Sequence, residues 1–338
     1  MSVDLKDSEI AQIAERLCPQ QVTGISEIDR GGNSRIYKIE TAGLSYALKR
    51  YPEISEQDKR DRLDTERKAL GFLEEHGFSD IPHIVASDAN NSYSLLTWCN
   101  GEQTYNAEDV GIDKFADFLI NLAKVSHSEG SFDLQPASEA CTCGQEIVRQ
   151  IEKRLSALKD VAEENESLKI FLKERLLPDF KEKIKTAKEI LGSEEVSFEQ
   201  ELDKKFQVLI PCDFGTHSCL RDGDKIFFLD FEYFGWDDPV TSTANFLLHP
   251  AMHLSQSQKE RFSSLMANYF ITKDTNYQTR LMALYPLYAI RWSTIILNEF
   301  LPQRWQHRLE SGRFSQEDWQ QAKDTQLEKA RSILLMQN

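Results

Sequence analysis

A chain of 338 residues has the length for about two packed units, and its 40% apolar and 28% charged content is that of an ordinary soluble protein. With 40 Lys and Arg against 55 Asp and Glu, the formal net charge is −15. That field opposes the nucleic-acid backbone, leaves only a local basic cleft for such a partner, and favours a cationic ligand. No run of about 18 apolar residues suggests a membrane span, and the opening MSVDLKDSEIAQIAERL is acidic and amphipathic, without an apolar signal core. The six cysteines (Cys18, Cys99, Cys141, Cys143, Cys212, Cys219) are scattered and do not read as a disulfide framework. Cys141 and Cys143 form a CxC pair, but no second Cys/His pair follows to complete a zinc set. A cytoplasmic protein with no membrane insertion and no nucleic-acid partner is expected; nothing here specifies an oligomeric state.

In chain order, Val3, Ile10, Ile13, Ala14 and Leu17 have helical spacing. Ile25–Asp29, Ile36–Glu40 and Tyr46–Tyr51 read as strands, separated by the turn-rich Arg30-Gly31-Gly32-Asn33-Ser34-Arg35 and by Ala42-Gly43. A charged helix is expected from about Ser55 to His76, with Leu63, Ala69, Leu70 and Leu73 as its apolar stripe and Gly77 as its stop. Ile81–Val85 and Tyr93–Trp98 are two further strands, turning at Asn90-Asn91. Past Asn100-Gly101 the pattern becomes helical: 114–126, then long charged helices over 145–191, where Pro178 predicts a break. Residues 206–234 return to short apolar strands around a loop, and helix resumes from about 240. This order predicts an α+β chain with a small antiparallel β-rich lobe over 1–100 and a larger, mainly helical lobe over 101–338.

The run Val208-Leu209-Ile210-Pro211-Cys212-Asp213-Phe214-Gly215-Thr216-His217-Ser218, then Asp222-Gly223-Asp224, then Phe227-Phe228-Leu229-Asp230-Phe231-Glu232, resembles the catalytic core of the aminoglycoside phosphotransferase/choline kinase family. The resemblance reaches back to Gly31-Gly32, Lys49 and Glu66 and forward to Gly235-Trp236-Asp237-Asp238-Pro239, in the family's order over roughly residues 25–250. It implies a bilobal protein-kinase-like fold and transfer of a phosphoryl group from ATP (or GTP) with Mg²⁺. Phosphoryl transfer asks a protein chiefly to position groups and offset charge. By resemblance, Asp213 is the base that orients the acceptor hydroxyl, and Asp230 holds Mg²⁺. Lys49 reaches the α/β-phosphates with Glu66 as its partner. Gly31, Gly32, Asn33 and Ser34 offer backbone N–H groups to phosphate. Thr97, Trp98 and Cys99 stand at the hinge beside the purine.

Each residue also has a plain reading. Asp213 alone is a turn residue, Asp230 a strand-end charge, Lys49 an exposed strand lysine, and Glu66 part of a solvated helix face. His217 reads as a solvated loop histidine, and Cys212 and Cys219 as packing. Three positions depart from the family pattern: Pro211 stands where kinase-like folds place His, Ser218 where the second metal ligand is Asn, and Ser242 where an Asp usually braces the loop. Ser218 would therefore hold metal only through a loop movement or a water. Glu232, two residues from Asp230 and on the same face of an extended chain, is the compensating candidate.

The expected function is phosphorylation of a hydroxyl on a small molecule: a sugar, an amino alcohol or an aminoglycoside-like compound. Glu232, Tyr233, Trp236, Asp237, Asp238, Trp292 and Glu299 are candidates for an acidic, aromatic cation pocket, against the plain alternative of core packing. A nucleotide-binding regulatory pseudokinase is the rival reading, favoured by Pro211, Ser218 and Ser242. A protein kinase fits less well, because Asp-Phe-Glu replaces Asp-Phe-Gly and no Ala-Pro-Glu segment follows Asp230.

Overall fold

The structure, a computed structural model, describes residues 5–28, 34–56, 58–103, 111–310 and 314–335. Two compact units emerge. The first comprises 1–110, 124–138 and 211–236; the second comprises 111–123, 139–210 and 237–338. The segment carrying Asp213 and Asp230 thus belongs to the β-rich unit, although it lies far beyond residue 100 in the chain.

The first unit is built on a five-stranded antiparallel sheet of β1 (Val22–Ile28), β2 (Arg35–Thr41), β3 (Ser45–Arg50), β4 (Ile84–Asp88) and β5 (Tyr93–Thr97), in the order β1-β2-β3-β5-β4. Alternation along each strand sorts side chains to two faces. Tyr37, Ile39, Tyr46, Leu48, Tyr93 and Leu95 form one buried cluster with Ile10, Ile13 and Ala14 of helix α1 (Leu5–Leu17). Each buried aliphatic side chain there contributes roughly 2 kcal/mol relative to exposure. Leu48 belongs to that cluster, so Lys49, paired with Ile36 on β2 and Ser94 on β5, points to the opposite face.

Helix α2 spans Arg62–Glu75. It starts seven residues later than the Ser55 expected from charge and periodicity. The Asp61 carboxylate accepts the Asp64 N–H at 2.9 Å and fixes the N-cap, while Ser55 and Asp58 close a separate turn on each other. Gly77, at φ +82°, takes the left-handed position past the helix, and the Phe78 N–H returns to the Leu73 carbonyl. The β4 ladder begins at Ile84 rather than Ile81, since Pro82 has no N–H to offer. A three-stranded sheet of β6 (Glu102–Gln103), β8 (Cys219–Asp222) and β9 (Lys225–Phe228) completes this unit. Its β8–β9 hairpin turns on Gly223 (φ +58°) and Asp224.

The second unit is mainly helical, as expected. It holds most of α3 (Ile112–Val125), then α4 (Gly144–Ala162), α5 (Glu166–Phe171) and α6 (Leu177–Ser193), the strand β7 (Val208–Ile210), and α7 (Pro239–Leu248), α8 (Gln256–Phe270), α9 (Tyr277–Ile296), α10 (Pro302–Glu310) and α11 (Trp319–Leu335). The break predicted at Pro178 is absent. A π-helical turn, Leu172–Leu176, runs straight into α6 with Pro178 in its first turn, where the missing N–H and the ring are tolerated. The interruption falls instead between Ala162 and Glu166. Among the described residues no helix is long and apolar enough to cross a membrane.

Candidate active site

Lys49 and Tyr51 lie two residues apart on one face of the sheet, and α2 presents Glu66 to both. Lys49 Nζ is 2.8 Å from Glu66 Oε2, and the Tyr51 hydroxyl donates to that same oxygen at 2.5 Å. The other Glu66 oxygen accepts the Phe231 backbone N–H at 2.9 Å. Lys49 also reaches Asp230 Oδ1 at 2.7 Å and Glu232 Oε2 at 3.1 Å. Neither the exposed strand lysine nor the solvated helix glutamate therefore describes this protein: Lys49 and Glu66 are both buried. The β9 strand ends at Phe228, and Asp230 follows at φ +69°, a left-handed conformation that an L-residue holds only when its surroundings impose it. Its side chain keeps 39% of its surface open.

Glu232 is more committed than Asp230. Besides Lys49, it accepts the Ser34 hydroxyl at 2.8 Å and approaches Arg62 Nη1 at 3.4 Å. Arg62, one helical turn before Glu66 on α2, also binds Asp58 at 2.9 Å. Two α2 side chains therefore clamp the segment 231–232. Nothing in the sequence pattern singled out Arg62 or Tyr51, although both stand at the spacing that shares a face with a recognised residue.

The electrostatics follow from this packing. Burial lowers the affinity of Lys49 for its proton, but Asp230, Glu66 and Glu232 outweigh that and hold the ammonium charged, above its ordinary range. Glu232 is held below the usual carboxylate range: burial opposes its charge, and Lys49, the Ser34 hydroxyl and Arg62 prevail. Asp230 goes the other way. The protein packed around it, with Glu232 and Glu66, raises its carboxyl, and Lys49 offsets this only in part. Glu66, Asp230 and Glu232 place oxygen atoms within 4.8 Å of one another. Three carboxylates around one ammonium, with Arg62 shared with Asp58, leave a local surplus of negative charge on hard oxygen donors. That donor set fits a divalent cation such as Mg²⁺.

In the chain, Asp213 stands before the β8–β9 hairpin and Asp230 after it. Cys212 before it adopts φ +67°, and its thiol donates to the Tyr233 carbonyl at 3.0 Å. The 3₁₀ turn Thr216–Ser218 follows. The Ser218 carbonyl accepts the Leu229 N–H at 2.9 Å, which ties this turn to the chain leading into Asp230. His217 Nε2 donates to Asp213 Oδ1 at 2.9 Å, so the solvated-loop reading of this histidine is replaced by a defined contact. Ser242 bonds the Pro239 carbonyl of its own helix at 3.0 Å. The Thr97 hydroxyl accepts the His83 N–H at 2.9 Å, Trp98 carries Lys38 over its ring at 5.3 Å, and burial pushes the Cys99 thiol up to about 11. Gly31, Gly32 and Asn33 lie outside the described residues.

The candidates for a cation pocket have intramolecular partners. In the first unit Tyr233 faces the guanidinium groups of Arg60 and Arg62, each 5.3 Å from its ring, and Trp236 Nε1 donates to the Ser131 carbonyl at 3.0 Å. In the second unit Asp238 takes Arg280 through two nitrogens at 2.8 and 3.0 Å, and Asp237 accepts the backbone N–H of Cys141 at 2.8 Å. Trp292 Nε1 donates to Asn245 at 3.1 Å, and Glu299 takes Arg308 at 2.9 Å.

Comparison with known proteins bears on this geometry. The model of the phosphotransferase enzyme family matches residues 24–263. Among solved structures, an ADP-bound aminoglycoside phosphotransferase is similar at 15% identity and a TM-score of 0.55, with 98% of this chain and 99% of that one covered. A choline kinase from Cryptosporidium parvum is similar at 14% identity and a TM-score of 0.60, with 98% of each chain covered. A spectinomycin phosphotransferase in complex with ADP and spectinomycin is similar at 14% identity and 0.54, also with 98% of each covered. No curated protein sequence matches the chain. At such identities the likeness is one of fold, the protein-kinase-like fold.

Proposed function

The chain belongs to the phosphotransferase enzyme family, and from that premise we propose that it transfers the γ-phosphoryl group of ATP, or of GTP, to a hydroxyl group of a small molecule. The observation that carries this reading is the buried Lys49 ammonium, 2.8 Å from Glu66 and 2.7 Å from Asp230. A lysine held by a helix glutamate and turned toward an aspartate that follows a buried strand is placed to exchange that aspartate for nucleotide phosphate. Asp230, with Glu232 beside it, would hold Mg²⁺, which would offset the negative charge of the phosphates. Ser34 and the glycines before it are assigned to the phosphates, and Thr97, Trp98 and Cys99 to the purine. Ser218, on the same turn as His217, is assigned to the metal through a water.

Asp213 receives the proton of the acceptor hydroxyl. The O–H bond breaks as the acceptor oxygen bonds to the γ-phosphorus, and the bond from phosphorus to the departing nucleoside diphosphate breaks with it. The resemblance to aminoglycoside and choline kinases points to a hydroxylated acceptor of metabolite size. A second reading, nucleotide binding without transfer, draws on the three partners that already occupy Glu232. The test is nucleotide turnover against a panel of sugars, amino alcohols and aminoglycosides. Turnover that depends on one acceptor class and vanishes in Asp213→Ala, with nucleotide binding kept, is the expected result; full activity in that variant refutes the assignment.

A further inference from the structure

We propose that Arg154 and Arg291 form an oxyanion site in the second unit, which takes a carboxylate or phosphate group of a small acidic metabolite in place of the Glu139 carboxylate. All of its residues belong to that unit, and none is assigned to phosphoryl transfer, so its failure would leave the function above standing. Helix α4 carries Gln150 and Arg154 four residues apart on one face, and α9 supplies Arg291. Both guanidinium groups donate to one atom, Glu139 Oε2, Arg291 at 3.0 Å and Arg154 closer still. Two positive charges thus share one negative charge, although Arg291 exposes only 7% of its side chain and Arg154 15%. Charge taken out of water needs matching charge.

The other carboxyl groups nearby do not supply it. Glu146 is taken by Arg149 through both oxygens, at 2.8 and 2.6 Å. Asp237, which also acts on Arg291, accepts the Cys141 and Asp238 N–H groups, and burial pushes it up to about 7, so near neutral pH it carries only part of a charge. Among the described residues no acceptor meets Arg291 Nη1. Gln150 holds the frame: its Oε1 accepts the Arg291 Nε–H at 2.8 Å, and its Nε2 donates to the Glu139 carbonyl at 2.9 Å. The Glu139 backbone is kept at φ +57°, a conformation its surroundings must impose. Its side chain is 44% exposed, so the carboxylate can turn outward about its own torsions while Gln150 keeps Arg291 in place. Two guanidinium groups then present directed N–H donors to the oxygens of an incoming anion.

The experiment compares wild type, Glu139→Gln, Arg154→Gln and the double variant Arg154→Gln/Glu139→Gln. Phosphate and acetate are titrated into each full-length chain by calorimetry, and each chain is melted in phosphate, acetate or chloride at one ionic strength. In chloride, Glu139→Gln should melt below wild type, because two buried cations have lost their counter-ion. One oxyanion per chain should restore its melting temperature and bind about tenfold more tightly than to wild type. Arg154→Gln and the double variant should bind at least about tenfold more weakly than Glu139→Gln. Recovery in acetate alone assigns the site to carboxylates, in phosphate alone to phosphate groups, and either supports it. Should Arg154→Gln fail to fold, Arg154→Lys, which keeps the charge but loses the planar fork, takes its place. No binding to Glu139→Gln at millimolar phosphate or acetate, equal recovery in chloride, or equal affinity with and without the arginine overturns the proposal.

Discussion

Lys49, Glu66 and Glu232 expose 5%, 1% and 2% of their side chains, whereas Asp213 exposes 43%. The two places differ in how they are held. Around Lys49, the ammonium meets three carboxylates, and Glu66 and Glu232 take partners on both of their oxygens, from Ser34, Tyr51, Arg62 and the Phe231 backbone. Asp213 stands on a short 3₁₀-turn loop, its carboxylate in contact with His217 and open to solvent. Phosphate and metal carry concentrated charge and reward a rigid, desolvated cradle, while an acceptor hydroxyl must enter from solvent and leave again. Substitutions in the first place should therefore cost both stability and turnover, and those in the second should cost turnover alone.

The largest effect expected is on catalysis. Asp213→Asn should lower kcat by about a thousandfold, roughly 4 kcal/mol in barrier, while its melting temperature stays close to wild type. A fall of both in steady-state assay and calorimetry would erase the contrast. Lys49→Met strands buried carboxylates and should destabilise the first unit by about 3–5 kcal/mol, read as a lower urea midpoint, together with loss of turnover. Tyr51→Phe removes one bond to a charged oxygen and should cost about 1.5–3 kcal/mol in the same titration, with turnover reduced far less than in Lys49→Met.

The pH response sharpens the comparison further. Asp230 has a folded pKa raised to about 6, so its contribution to stability is present below the ordinary carboxylate range and is lost as pH rises through about 6. Glu232 is shifted down, so its contribution is present above the ordinary range and is lost as pH falls. The two windows do not coincide. The Glu232 contribution acts below the ordinary glutamate range, so from pH 5 to pH 7 only that of Asp230 operates, and the free protein should lose a little stability as pH rises, roughly 1 kcal/mol or less for a carboxylate this open. Mg²⁺-dependent binding of ATP needs Asp230 ionised and should weaken as pH drops through about 6. Urea titrations and nucleotide binding measured across that range check both halves.

How far these features could be read beforehand depends on what each one rests on. The fold and the family were legible because strand alternation around Lys49 and the spacing from Asp213 to Asp230 survive in the order of residues. Helix ends were less so: Asp61 takes the cap that Ser55 and Asp58 might equally claim in a polar, charged stretch, and only tertiary packing decides among them. Pro178 misled because a π-turn can admit a proline that an uninterrupted α-helix would reject. Arg62, Tyr51 and His217 carry no motif. The partners that engage them stand 170, 15 and 4 residues away; spacing alone puts Arg62 on the face of Glu66 and Tyr51 on that of Lys49, but not which carboxylate they meet.

The central claim is that Asp230 and its neighbours form the seat of a metal-bound nucleotide. The direct test is the thermal shift produced by ATP, with and without Mg²⁺, in wild type and Asp230→Asn. At a free concentration of about a hundred times Kd, binding adds about 2.7 kcal/mol and should raise the wild-type melting temperature by several degrees, only when Mg²⁺ is present, and hardly at all in the variant. Equal shifts without the metal, or an undiminished shift in Asp230→Asn, would contradict it.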